Sequence, residues 1–378
     1  MLYKVFDVET TVKNKGEEAI GKDSPNPFHP DNRIVALGWK NETGTYRAFD
    51  RIFEDNWWLE SQLLVGHNIR FDLHYSSKTW PKFKTDLMAN GTRIWCTQLA
   101  EYLLTGQQAM WSKLQDLSVK YGGSGKEDEV GALMKAGMET EEIPRAMLMS
   151  YLQVDVNETE RVFKAQYRQA EALGMLPLMW SQMEALLATF YMRENGMCFD
   201  MAQAEVEGHK IRTKLLVVEE ELTEVYRTSH PHVKEIKPGS PQFLSRTLFG
   251  GTYDYKEKEL VGQFKNGKDK YKLMPKKGQV AGPLTPLASW KTKTAGIYQV
   301  GDEVLATLSD IPLVVLVKKY RAMKKDLTTY FDGYSALAWP EDGQWFIHGD
   351  LNHCATATGR LSSSKPNMQN LSNKSRDD

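Results

Sequence analysis

Four carboxylates and one phenol carry the first chemistry that this sequence offers. Phe6-Asp7-Val8-Glu9-Thr10 reads as a strand, and strand side chains alternate, so Asp7 and Glu9 project from one face. Two neighbouring carboxylates repel each other, and a partly buried pair stays ionised only when a cation compensates it. Hard oxygen donors of this kind suit Mg²⁺ or Mn²⁺. In Gly66-His67-Asn68-Ile69-Arg70-Phe71-Asp72 a short apolar strand gives way to a helix, a platform from which Asp72 can meet ligands of other elements. Tyr151-Leu-Gln-Val-Asp155 places a phenol and a carboxylate at i, i+4, one face of a helix. Each motif alone is common. The bland equivalents are a solvated strand end, a helix capped by Asn68 with an exposed Asp72, and a chance Tyr/Asp pair.

The elements that must position these groups follow from local pattern. Leu2–Val8, Arg33–Trp39 and Thr45–Phe49 are strand-like, the last two joined by the hairpin signal Asn41-Glu-Thr-Gly44. Gly21–Asn32 reads as an irregular loop. Trp57–Gln62 is expected to be helical, Leu63–Gly66 a buried strand, and a helix starts near Ile69. Arg93–Cys96 is another strand leading into the helix Thr97–Leu104, and Gly122–Glu129 is a polar loop. Arg145–Leu173 is a long helix ended by Gly174 and Pro177. Hairpin strands followed by alternating strand and helix predict an α/β domain over residues 1–175. Beyond it come long helices, Leu178–Asn195 and Met201–Arg227, then a Lys- and Tyr-rich strand-like ribbon between Gly250 and Tyr298. A basic helix over Pro312–Tyr330, a strand at Trp345–Ile347 and a polar run from Thr356 to Asn373 complete the chain.

Bulk properties agree with a multidomain globular protein. The 378 residues exceed one ordinary core, 41% are hydrophobic and 26% charged, and the formal charge is −1. Three cysteines, Cys96, Cys198 and Cys354, show no disulfide or zinc spacing and read as reduced thiols. No signal peptide or membrane-spanning run is evident, so the expected location is the cytoplasm.

Taken together and in this order, the three carboxylate motifs resemble those of the DEDD exonucleases with a tyrosine in the third motif, as found in the proofreading domain of family A DNA polymerases. Asp7 and Glu9 match the first motif, Asn68 and Asp72 the second, Tyr151 and Asp155 the third. The helix Thr97-Gln-Leu-Ala-Glu-Tyr-Leu-Leu104 is similar to the one between the second and third motifs. Cys96 and Asn157 depart from acidic residues common in the family, neither of them at a metal ligand. The resemblance implies a ribonuclease H-like fold, a mixed sheet flanked by helices. It also implies two Mg²⁺ (or Mn²⁺) ions, about 4 Å apart. Asp7 would bridge them, Glu9 and Asp155 would complete one shell, and Asp72 would support the other ion. Tyr151 would orient the attacking water. Asn68 and Phe71 would hold the frayed single-stranded 3′ end of DNA.

The second half extends the same resemblance. Thr356-Ala-Thr-Gly-Arg-Leu-Ser-Ser-Ser-Lys-Pro-Asn-Met-Gln-Asn-Leu371 closely resembles the family A segment that leads from thumb to palm. Arg360, Asn367, Gln369 and Asn370 are donors suited to duplex backbone and base edges. Tyr191–Asp200 is similar to the turn into the thumb, Ser240-Pro-Gln-Phe-Leu to the family's Ser-Pro-x-x-Leu, and Tyr320–Tyr330 to a long thumb helix. That helix places Arg321 and Lys325 towards primer–template phosphates. The resemblance thus implies an exonuclease domain over 1–175, a mainly helical thumb over 176–335 with a β-ribbon insertion at about 250–298, and the beginning of a palm over 336–378. The ribbon is similar in length and style to phage members; one reading is contact with DNA or a processivity partner, and the other, of equal weight, is a mobile surface hairpin. A palm strand with the first polymerase Asp, a fingers helix with its nucleotide-binding Lys and Tyr, and a later His-Asp motif are not found by Asp378. The expected role is therefore the exonuclease and DNA-gripping part of a split or truncated polymerase, completed by a palm–fingers polypeptide. The alternatives are a stand-alone DNA 3′→5′ exonuclease and a non-catalytic DNA-gripping scaffold.

Overall fold

The computed structural model describes residues 2–12, 25–50, 53–123, 129–264, 266 and 268–371. The chain forms two compact units, Met1–Asp200 with Ala336–Asp378, and Met201–Ser335.

The first unit is mixed α/β. Tyr3–Thr10 (β1), Ile34–Asn41 (β2), Tyr46–Asp50 (β3), Leu63–Gly66 (β4) and Arg93–Cys96 (β5) make one sheet in the order β3-β2-β1-β4-β5. The β1–β2–β3 meander is antiparallel, whereas β4 runs parallel to β1 and β5 parallel to β4. A parallel step needs a crossover, and Arg70–Thr79 (α1) with Phe83–Ala89 (α2) supplies the one between β4 and β5. All four residues of β4 are buried, which explains why that strand is apolar throughout instead of alternating.

Thr97–Leu104 (α3), Leu114–Lys120 (α4) and Glu129–Lys135 (α5) precede the long helix Arg145–Ala172 (α6). Leu148, Leu152 and Val156 recur every four residues on α6 and are buried, so this stripe faces the sheet at β1 and β2. Leu176–Asn195 (α7) adds Met179, Met183, Leu186 and Phe190 to the core that contains Val5, Leu64 and Trp95. For that reason the first unit continues to Asp200 and does not stop near 175. It also takes up the C-terminal segment. Met197–Cys198 (β6) pairs with a strand from beyond residue 336, described below.

Two local expectations change. Trp57–Gln62 is a succession of turns up to residue 60, not a helix. Asn56 has φ 61°, and both indoles of Trp57 and Trp58 are buried in a cluster with Trp80 and Phe83. The backbone turns here, and both indoles reach that cluster. The loop expected over Gly122–Glu129 falls largely on 124–128, outside the described residues.

The second unit is built on Met201–Ser229 (α8) and Pro312–Asp326 (α11), with Pro241–Phe249 (α9), Asp302–Ala306 (α10) and Asp332–Ser335 (α12). Leu215, Val218, Leu222 and Tyr226 of α8 share a core with Val314, Val317 and Tyr320 of α11. The basic helix ends at Asp326, and Leu327–Phe331 follows as a π-helical turn, so the expected run to Tyr330 is not one regular helix. The ribbon is one hairpin of Gly251–Gln263 (β7) and Asp269–Val280 (β8). The remainder, up to Tyr298, is mainly irregular.

Beyond Ser335 the chain returns to the first unit. Ala338–Glu341 (β9) and Gln344–Ile347 (β10) form a sheet with β6, and Asp350–Asn352 (β11) pairs with Ser362–Ser364 (β12). Tyr102 on α3 donates to the Thr356 carbonyl at 2.6 Å, tying this segment to the helices of the first unit. Among the described residues no helix is long and apolar enough to cross a membrane.

Candidate functional site

β1 presents Asp7 and Glu9 on one face, while Val8 between them is 5% exposed and belongs to the core. α6 carries Asp155 one residue before the buried Val156, at the border of its sheet-facing stripe. Strand and helix thereby bring the carboxylates of Asp7, Glu9 and Asp155 within 4.8 Å of one another. Among the described residues this is the only cluster of three or more His, Cys, Asp or Glu side chains with metal-binding spacing. Such proximity of three like charges is unfavourable without a cation, and an all-oxygen donor set fits a hard divalent ion.

Asp72 lies in the first turn of α1 and is 2% exposed. The Val8 N–H, flanked by the two β1 carboxylates, donates to Asp72 Oδ1 at 3.2 Å. Burial raises the Asp72 pKa well above the usual carboxylate range and the nearby Glu9 adds to the rise, against hydrogen bonds from backbone N–H groups that lower it. Asp72 is therefore a buried neighbour of the cluster, placed behind β1, and not one of the three convergent oxygens.

The loop holding the second motif is fixed by His67. Its Nδ1 lies 2.9 Å from Thr97 Oγ1 and its Nε2 3.0 Å from the Ser112 carbonyl, and burial lowers its pKa to about 4. Asn68 follows in the left-handed region, φ 52°, which Asn tolerates better than most residues, and is exposed. Phe71 is half-buried and, with Glu9, lines a cavity of about 570 Å³. Tyr151 is half-buried one helical turn before Asp155.

One residue that the motifs do not contain governs the approach of α6. Gly38 on β2 is paired with Asp7 on β1. A Cβ at Gly38 would lie 2.8 Å from Leu152 Cγ and 3.1 Å from the Tyr46 hydroxyl. The absent side chain lets Leu152 seat directly on the sheet, which sets how near Asp155 comes to Asp7. Burial, and then the charge of Asp7, raise the Tyr46 phenol to about 12. A glycine inside an apolar strand is the sequence signal for such a close approach.

The residues expected on DNA are spread over the two units. In the second, Lys325 is exposed, whereas Arg321 donates to the Val300 carbonyl at 2.9 Å and pairs with Asp302 at 3.3 Å. Part of that guanidinium is thus engaged within its own unit. In the first, Arg360, Asn367 and Gln369 are exposed. The Thr356 hydroxyl donates to the Arg360 carbonyl at 2.8 Å. Asn367 Oδ1 caps the helical turn Met368–Asn370 by accepting from the Gln369 N–H, and Gln369 Nε2 donates to the Leu361 carbonyl at 3.1 Å. The Asn370 side chain lies outside the described residues.

Comparison with known proteins finds a family match in the C-terminal part of the chain. Residues 279–378 match the sequence model of DNA polymerase family A. DNA polymerase I of Pseudomonas aeruginosa is 25% identical over 332 residues, 86% of this chain and 31% of that protein. The thermostable DNA polymerase I of Thermus thermophilus is 42% identical over 82 residues, 21% of this chain and 10% of that protein. The chain therefore spans less than a third of the curated relatives it matches. A solved structure described as the POL domain of Pol1 from M. smegmatis, in complex with DNA primer-template and dNTP, superposes with a TM-score of 0.60 at 19% identity. That likeness, which is one of fold, covers 99% of this chain and 53% of the other.

Proposed function

Taking residues 279–378 as a family A DNA polymerase segment, we propose that the first unit of this chain carries a metal-dependent 3′→5′ DNA exonuclease that proofreads for a polymerase. The observation that carries this reading is the convergence of Asp7, Glu9 and Asp155 within 4.8 Å, with Asp72 hydrogen-bonded behind β1. The sheet order β3-β2-β1-β4-β5, with its antiparallel meander and two parallel additions, supports a ribonuclease H-like fold. On the same reading the second unit is a thumb that grips primer–template duplex, and the segment after Ser335 begins a palm.

Asp7, Glu9 and Asp155 would hold the divalent ions, Mg²⁺ or Mn²⁺, with Asp72 supporting them from behind. Such ions supply an activated water and stabilise the leaving oxygen in phosphodiester hydrolysis. The protein's own part is positioning. Tyr151, one turn from Asp155, offers a hydroxyl to the attacking water and aligns it with the terminal phosphorus. Asn68, on its exposed left-handed corner, presents an amide to the terminal nucleotide, and the Phe71 ring offers a face for its base. Attack breaks the bond from phosphorus to the 3′ oxygen of the preceding nucleotide. That oxygen takes up a proton, and a 5′-monophosphate leaves.

The test is release of a labelled 3′-terminal nucleotide from single-stranded DNA in Mg²⁺. Asp7→Ala should abolish it. Wild-type release by that variant would refute the assignment, and inactivity of the wild-type chain would favour a DNA-gripping role without catalysis.

A further inference from the structure

A second cavity, of about 200 Å³, lies next to the one that Glu9 lines, and three cationic side chains reach its wall. Phe71 and Pro25 both line this cavity and the one that holds Glu9. Its wall also contains Arg70 from α1, Arg193 from the last turn of α7, and Lys365 from the loop after β12. These side chains come from three distant stretches of sequence, and one carboxylate serves two of them. Arg70 Nη2 donates to Asp350 Oδ1 at 2.6 Å, and Arg193 Nη1 lies 3.7 Å from the same oxygen. Glu194 beside His74 and Glu341 beside His348 also flank this wall, so what it offers an anion is not a net charge but the donors of Arg193 and Lys365.

Hydrogen bonding points the same way. Arg193 Nε is buried without an acceptor among the described residues. His74 Nδ1 is engaged by Glu194, and burial lowers the His74 pKa to about 4. Burial also lowers the Arg193 pKa, partly countered by Asp350 and reinforced by repulsion from Arg70. A buried donor left unpaired costs roughly 1–3 kcal/mol, more when charged, and an anionic oxygen is the acceptor that relieves it best.

We infer that this cavity holds a backbone phosphodiester of the single-stranded 3′ arm, upstream of the bond to be cut, with Arg193 and Lys365 as its ligands. Phe71 then marks the place where the strand passes from the basic cavity to the acidic one. The inference rests on the exonuclease reading for its direction of travel, but the binding it describes does not need catalysis. A released nucleoside 5′-monophosphate offers the same phosphate chemistry, so the experiment must separate the two sources.

The full chain is assayed with short single-stranded oligonucleotides in which one linkage at a time is a neutral methylphosphonate. In the wild type, one linkage upstream of the terminal bond should raise KM roughly tenfold when neutralised. Lys365→Gln, on the exposed rim, should raise KM for the unmodified strand and erase that linkage's penalty. Arg193→Gln should do the same, and if it fails to fold, Lys365→Gln decides alone. The inference is overturned if all linkages are equivalent, or if the penalty survives in Lys365→Gln. It is overturned too if the variants weaken only inhibition by deoxynucleoside 5′-monophosphate, which would assign the cavity to product. Fluorescence anisotropy of the same oligonucleotides on Asp7→Ala separates the two proposals. The linkage pattern there, without nucleotide release by the wild type, would uphold the cavity and refute the exonuclease.

Discussion

In the first unit like charges converge, whereas in the ribbon of the second unit strand register pairs unlike charges on one face and leaves the other mainly cationic. Asp7, Glu9 and Asp155 crowd within 4.8 Å because a strand and a helix are packed against each other through a buried core. Along β7 and β8, Tyr255, Glu257 and Glu259 share a face with Lys276, which bonds to Glu257 at 2.8 Å and Glu259 at 2.6 Å. That face is also anchored, through Tyr255 stacked on His232 at 4.5 Å. The opposite face carries Lys256, Lys258 and Lys277 with Leu260, Tyr271 and Leu273, all exposed, and Asp254 as its acidic residue. Converged charge needs an ion from outside and suits chemistry. Segregated charge is neutralised on one side and leaves the other cationic, which suits contact with a polyanion.

Four variants break or sharpen this contrast. Asp155→Ala removes one of the convergent oxygens and should lower 3′-nucleotide release by on the order of 10³-fold or more, measured with labelled single strands at saturating Mg²⁺. Tyr151→Phe keeps the ring and removes the hydroxyl, and a loss of about 10²-fold in kcat with little change in KM is expected. Gly38→Ala forces Leu152 and Tyr46 to shift, at roughly 1–3 kcal/mol of stability by denaturant unfolding. Activity should fall about tenfold even where the variant is fully folded, because Asp155 is carried away from Asp7. The smallest effect belongs to the ribbon. Replacing Lys256, Lys258 and Lys277 together by Gln should weaken duplex binding a few-fold and flatten its salt dependence by up to about three charges. Hydrolysis of a short single strand should be unaffected. If instead the ribbon variant slows hydrolysis and Gly38→Ala does not, the division between converged and segregated charge is wrong.

How much of this was legible in the sequence depends on how far apart the cooperating residues lie. The β2–β3 hairpin was legible because its turn is local, and Gly44 adopts φ 87° as Asn41–Gly44 implied. The site carboxylates were legible because each sits in a short motif of its own. The turns at Trp57 and Trp58 were not, since a run of good helix formers conceals the fact that both indoles must be buried. The role of Gly38 depends on Leu152, more than a hundred residues later, and no local pattern announces that contact. The basic cavity was invisible for the same reason, as Arg70 meets Asp350 across 280 positions. Gly174 and Pro177 break a helix without ending a core, so the compact unit runs on past 175. The chain turns at Gly174, φ 67°, and α7 packs back onto the same sheet.

The pairing of β6 with β10 has a consequence for how the chain is made. Cys198 faces Phe346 and Met197 faces Ile347, so residues 201–335 form one long excursion between two adjacent strands. Closing a flexible loop of that length costs roughly 4 kcal/mol in chain entropy, beyond a constant, and the cost falls if the excursion has already condensed. On the ribosome, β1 through α7 emerges well before β10 exists. The nascent first unit must therefore wait, its small sheet two strands short, until the second unit has been synthesised and has gathered its own ends. Completion of the basic cavity, with Asp350 and Lys365, is among the last events of that vectorial sequence.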